Sequence, residues 1–157
     1  MKIKILALGK NVPAWVQQGY LEYNKRLSTY IKLEFIEIPL NKRHKNSDIH
    51  RLMALESKQM QSYIQPDDCV IALDVKGKHW DTEQLAEQLK HWHEQNYTIV
   101  FLIGGPEGLH SNSLSMAHQR WSLSCLTFPN PLVRIILIEQ LYRAWSIITG
   151  HPYHRSD

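Results

Sequence analysis

The chain has 157 residues, 43% of them hydrophobic and 21% charged, with a formal net charge of +3. That length suits a single domain, residues 1–157, with a sizeable core, and the balance is that of an ordinary folded protein, not a disordered one. No apolar run approaches the about 20 residues a membrane helix needs, and MKIKILALGK turns polar too early for a secretion signal, so a cytoplasmic protein is expected.

Apolar runs alternate with helical patterns along the chain. Ile3 to Leu8 is predicted to be a strand, Ala14 to Leu27 a helix carrying Trp15, Tyr20 and Leu27, and Leu33 to Ile38 a second strand. Lys42, Arg43, His44 and Lys45 then form a basic cluster, with His50 and Arg51 beyond it. Such a cluster serves either as a solvated loop or as the phosphate-neutralising part of an RNA contact. Ser47 to Ile64 reads as a helix whose apolar face includes Ile49, Leu52, Met53, Leu55 and Met60. Cys69 to Leu73 is predicted to be a buried strand that stops at Asp74. Asp81 can cap the next helix, with Gln84 three residues later completing a capping box, and that helix should run to about Gln95. Thr98 to Ile103 is the next strand, followed by a short helix from about Ser111 and a short strand near Trp121 to Leu123. Cys69 and Cys125 are expected as free thiols.

The last element is a long helix from Pro131 to Thr149, with Asn130 as its expected cap. Glu139, Arg143 and Ser146 make one narrow polar stripe, while Leu132, Ile136, Leu137, Leu141, Tyr142 and Trp145 cover most of the rest. A helix apolar nearly all round is buried on more than one side, either deep in its own domain or against a second copy in a homodimer. Glu139 and Arg143, four apart, are placed to pair on the helix. Five strands alternating with five helices predict an α/β fold, a mainly parallel sheet with helices on both faces.

Gly104, Gly105 and Gly108 follow a strand, so the backbone there can turn sharply and let a ligand approach. In open α/β sheets ligands bind beyond the carboxyl ends of strands. An ordinary strand-to-helix turn would look the same. GGPEG has neither the dinucleotide-binding spacing nor the Gly-Lys-Ser/Thr of a phosphate loop. His91 and His93 point in different directions on their helix, and His151 and His154 lack an acidic or cysteine companion at a recognised spacing, so no metal site is expected.

The ordered series LIGGPEG, WSLSCLTFPNPLVR, EQLYRAW and HPYHR resembles the RlmH family, SPOUT-class methyltransferases of the large ribosomal subunit. ALGK, WVQQGYLEY, EFIEIP, the KRHKN segment and LDVKGKHWDTEQLA extend the resemblance over essentially the full length. It implies a SPOUT-type fold with a C-terminal trefoil knot. It also implies methylation of N3 of a pseudouridine in 23S rRNA of the assembled ribosome, by a homodimer that uses S-adenosyl-L-methionine.

By the same resemblance, Leu73 packs against the cofactor and Gly104 and Gly105 leave room for it. Leu123, Ser124, Cys125, Leu126, Thr127 and Phe128 form the loop that wraps it. Such a loop offers apolar surface for an adenine ring and polar groups for its edge. Tyr153, His154 and Arg155 match the family's ending and become catalytic candidates: Arg155 for phosphate or a developing uracil-type anion, His154 for the N3 proton, Tyr153 for stacking or hydrogen bonding. Without the resemblance they would read as a polar tail. Methyl transfer from a sulfonium needs neither a metal nor a covalent intermediate, so Cys125 has no nucleophilic role. One departure stands out: the family usually carries His between two prolines, where this chain has Pro129-Asn130-Pro131. Asn cannot accept the proton there near neutral pH. That departure alone favours the alternative, a non-catalytic ribosome-associated RNA-binding protein that retains the fold. Arg134 and Arg143 are further candidates for RNA or cofactor contacts, or for pairing on the helix surface.

Overall fold

The computed structural model describes residues 1–155. Strands β1 (Lys2–Leu8), β2 (Lys32–Ile38), β3 (Cys69–His79), β4 (Ile99–Ile103) and β5 (Gln119–Ser122) alternate with helices α1 (Ala14–Leu27), α2 (Ile49–Gln61), α3 (Thr82–Glu94), α4 (Ser111–Met116) and α5 (Asn130–Thr149). The strands form one sheet in the order β2-β1-β4-β3-β5, and every pairing is parallel. Side chains alternate across β1: Ile3, Ile5 and Ala7 enter the core on the side of α3 and α5, while Leu6 and Leu8 enter the smaller core that holds Met60 of α2. Coverage of both faces explains why the strands read as nearly continuous apolar runs.

Helix α5 packs against both α1 and α3, so neighbours in its own chain cover the flanks that the sheet leaves open. Leu137, Ile138, Leu141, Ala144 and Trp145 are all buried there. The apolar girth of this helix therefore needs no second copy to explain it. Trp92 and Trp121 are buried beside Trp80, with the Trp80 and Trp121 rings 5.2 Å apart between centroids. The capping box of α3 forms as expected, with the Asp81 side chain accepting from Gln84 N–H and the Gln84 side chain accepting from Asp81 N–H.

Among the departures from expectation, three have a physical cause in the structure. Helix α2 starts later, at Ile49, because Asp48 caps it by accepting from the Arg51 amide. Strand β3 does not stop at Asp74. Its ladder with β5 breaks after the Leu73–Trp121 pair and resumes with Lys78 opposite the same Trp121, so the segment between them swings out of the sheet as a bulge. Gly77 permits the return: a Cβ there would lie 2.7 Å from the backbone of Arg120 and Trp121. Asn130 is not the cap of α5 but its first residue, and its side chain turns inward.

One charged pair sits inside the smaller core. Lys4 Nζ lies 2.9 Å from Asp68 Oδ2 and donates to the Tyr63 carbonyl at 3.0 Å, and both side chains are less than a tenth exposed. The same carboxylate accepts from the Gln65 amide, so the pair ties β1 to the turn that leads into β3. Removing one partner would strand the other charge without water. The Asp68→Ala variant should therefore lose about 3–5 kcal/mol of stability, read from urea denaturation.

Candidate active site

A cavity of about 1040 Å³ opens at the carboxyl ends of the strands. Its walls come from the turn after β1, the bulge of β3, the glycine loop after β4, the segment after β5 and the first turn of α5. The sheet order makes this the point where crossovers from adjacent strands depart in opposite directions, β1 to β2 on one side and β4 past β3 to β5 on the other. Open α/β sheets form their ligand crevices at such a switch point.

Leu73, Gly104, Gly105, Leu123, Ser124, Leu126, Thr127 and Phe128 all line this cavity. Cys125 does not: it is exposed, with Sγ 3.9 Å from His79 Nε2. Several lining groups carried no signal before folding. Asp74, Val75 and Lys76 reach the wall only because the bulge lifts them out of β3, and Lys10 and Arg120 join them at the wall.

Packing inside the chain also bears on the glycines. A Cβ on Gly104 would lie 2.6 Å from the Gly108 carbonyl carbon and 2.9 Å from the Leu109 nitrogen. On Gly105 it would meet Leu40 at 3.1 Å. Gly104 is thus demanded by close approach within the loop, whereas a Cβ on Gly105 would press on a side chain from the turn after β2. Gly108, at φ +82°, takes the left-handed conformation that lets its amide close on the Gly105 carbonyl at 3.0 Å.

Arg43 holds this loop from outside. Its guanidinium donates to Glu56, which is fully buried on α2, and to Glu107 of the glycine loop at 2.8 Å. Glu56 also accepts from the Asn41 amide. Hydrogen bonds donated to both carboxylates push the Arg43 pKa further up, and the guanidinium in turn holds Glu107 below the usual carboxylate range. Of the basic cluster, Arg43 is therefore a structural clamp, while Lys42, His44 and Lys45 remain exposed.

Asn130 and Arg134 close the floor. The Asn130 side-chain amide donates to the Leu8 carbonyl at 3.0 Å and to the Gly104 carbonyl at 2.6 Å, and its oxygen accepts from Arg134 Nε at 2.7 Å. Arg134, only 3% exposed, also bonds Glu37 at 2.6 Å and the Gly9 carbonyl at 2.8 Å. Its guanidinium is fully engaged inside the chain.

The tail lies elsewhere. Tyr153 donates its hydroxyl to Glu139 at 3.0 Å and stacks near Tyr142 and the Arg143 guanidinium. Burial, reinforced by the Glu139 carboxylate, pushes its hydroxyl up to about 12. His154 Nε2 lies 3.1 Å from Glu83 and Nδ1 is 3.4 Å from Arg143. With Nε2 donating and Nδ1 accepting, the ring meets both contacts. Glu83 is held below its ordinary value first by its own backbone amide and then by His154. Arg155 is exposed. None of the three lines the cavity of its own chain. Arg143 pairs with Glu139 as expected, at 2.9 Å through Nε.

Residues 1–154 match the family model described as "Predicted SPOUT methyltransferase". The chain belongs to the SPOUT methyltransferase family. Its SPOUT relatives include the ribosomal RNA large subunit methyltransferase H of Pseudomonas putida strain GB-1, 49% identical over 155 residues that span 99% of this chain and 100% of the relative. The proteins of that name from Ectopseudomonas mendocina strain ymp and Pseudomonas aeruginosa strain LESB58 are 49% and 47% identical over the same shares. The crystal structure of a probable methyltransferase from Bordetella pertussis Tohama I superposes with a TM-score of 0.60, covering 90% of this chain and 93% of that one. At 12% identity it is a likeness of fold.

The cavity suits the methyl donor of a SPOUT enzyme by its own chemistry. Leu73, Leu109, Leu123, Leu126 and Phe128 provide apolar surface, and Ser122, Ser124 and Thr127 stand among them as polar residues of the wall. The Gly104→Ala variant should push the Gly108–Leu109 backbone out of place and weaken binding of the methyl donor by about tenfold or more, measured by calorimetry.

Proposed function

We propose that this chain methylates N3 of a pseudouridine in 23S rRNA of the assembled ribosome, as a cytoplasmic homodimer that uses S-adenosyl-L-methionine. The observation that carries the reading is full-length similarity to relatives named as large subunit rRNA methyltransferases, joined to a cavity of cofactor size at the carboxyl edge of the sheet. With it goes the C-terminal trefoil knot implied by the family. The bound cofactor supplies a methyl group already activated on a sulfonium.

The chain's own residues then have three tasks. The first is to enclose the cofactor, for which Leu73, Gly104, Gly105 and the segment Leu123 to Phe128 are proposed. Cys125 belongs to that segment through its backbone alone. The second is to hold RNA. Lys10, Lys76 and Arg120 lie on the cavity wall and have no carboxylate partner among the described residues, so their charge is free for phosphates. Lys42 and Lys45, exposed near the glycine loop, extend that surface.

The third task is to manage the N3 proton and the anion it leaves behind. His154 would accept the proton, Arg155 would stabilise the anion or hold a phosphate, and Tyr153 would contact the base. These groups sit outside the cavity of their own chain, so the reading assigns them to the cavity of a second copy. Leu126 and Leu132 beside the cavity, with Trp15 and Leu21 of α1, leave 38–68% of their surface exposed and suit such a contact.

Transfer of a labelled methyl group to ribosomes lacking the modification, with free 23S rRNA in parallel, tests the reading. Label mapped to a pseudouridine in ribosomes is expected; cofactor binding without transfer to either substrate would overturn it in favour of a non-catalytic RNA-binding role. Arg155→Ala should leave cofactor affinity unchanged while methylation falls by about 10²-fold. Charge reversal at Lys76 and Arg120 together should weaken RNA binding and flatten its salt dependence.

A further inference from the structure

We infer that Asn130 is a positioning residue for cofactor binding, acting through the strand ends it joins. The inference rests on reading the cavity as the cofactor site.

Strands β1 and β4 are paired up to Ala7 and Ile103. One residue further, the chains part: Leu8 leads into the Gly9 turn and Gly104 into the glycine loop, and both turns form walls of the cavity. The carbonyls of Leu8 and Gly104 are two acceptors at the mouth of that split. The two N–H bonds of the Asn130 amide answer both, at 3.0 and 2.6 Å. The side chain continues the sheet by one step where backbone no longer can.

Its orientation has one solution. Turning the amide over would set Oδ1 against two carbonyl oxygens and the NH₂ group against Arg134 Nε, placing acceptor against acceptor and donor against donor. Arg134 is itself fixed by Glu37 and by the Gly9 carbonyl, so one network joins β2, the Gly9 turn, the glycine loop and α5. Few side chains can replace this amide. Aspartate keeps the shape and the bond to Arg134 but turns both donors into acceptors. Alanine removes all three bonds but adds no repulsion. Imidazole has two nitrogens on opposite edges and cannot offer two donors and an acceptor.

A purely space-filling residue would tolerate the isosteric aspartate better than alanine. A donor joining two carbonyls predicts the reverse. Affinity for S-adenosylhomocysteine, measured by calorimetry on wild type, Asn130→Asp and Asn130→Ala, separates the two, with the melting temperature of each ligand-free protein as a control on folding. Asn130→Ala should bind about tenfold more weakly, and Asn130→Asp more weakly still. In methylation assays the KM for S-adenosylmethionine should rise by the same factor while kcat stays within about threefold of wild type. If the aspartate variant does not fold, Asn130→Ser, which keeps one donor, should fall between wild type and alanine. Aspartate binding within twofold of wild type, or a loss confined to kcat, overturns the inference. Failure of the wild-type protein to bind S-adenosylhomocysteine would remove the cofactor reading itself, and this inference with it.

Discussion

Beyond the Ala7–Ile103 pair, β1 and β4 separate, and the site is built on that separation. A parallel sheet buried on both faces has no freedom to open anywhere along its ladder, because each lost pair would leave amides and carbonyls unmet away from water. It can open at its carboxyl edge, where crossovers leave in opposite directions. There the exposed carbonyls need donors that are not strand amides, and the chain supplies them from α5 through Asn130 and Arg134. The helix is thus both the last layer of the core and the part that holds the crevice to its shape.

Two arginines do comparable work on opposite walls. Arg134 joins Glu37, Asn130 and the Gly9 turn; Arg43 joins Glu56, the Asn41 carbonyl and Glu107 of the glycine loop. Both depend on the planar guanidinium, which can serve several acceptors at fixed angles where an ammonium would act as a point charge. Burial makes each network costly to break at one member, since the partner is left charged or unpaired. The glycine loop has no packed core of its own; it is placed by the Arg43 clamp on one side and by Asn130 on the other, with its own glycines allowing the tight approach.

The elements themselves were legible because their causes are local. Buried strands, the Asp81–Gln84 capping box and the amphipathic helices each follow from a few adjacent residues. The bulge in β3 was not, since nothing within LDVKGKH announces that Lys78 will resume pairing opposite the same Trp121 as Leu73; that depends on a strand more than forty residues away. The reversal of role at Asn130 has the same origin. Asn before Pro at a helix start is a cap by local chemistry, and only long-range proximity to Leu8 and Gly104 offers its amide better partners. Arg43, read as one of four similar cations, is distinguished by a carboxylate buried on α2. Most of the proposed cofactor residues were placed by motif resemblance, and the cavity gathers them, whereas the reason for the glycines came only from the packing around them.

The tail poses a different energetic question. In the single chain, Tyr153 is anchored to Glu139 and covered by Arg143, while His154 bridges Glu83 and Arg143. The ring nitrogen able to accept a proton, Nδ1 in this arrangement, faces a guanidinium. A base so placed is blocked because its lone pair is engaged by Arg143. For His154 to act on N3, RNA must displace the Arg143 contact, or the partner copy's cavity must present the proton along a path that avoids it. Each of these contacts is partly exposed and individually weak. A substrate that binds the released tail better than the docked one by more than these contacts together are worth would shift the balance. On the proposed reading, the docked tail is a resting arrangement in which His154 is kept occupied until RNA provides a better partner for Arg143.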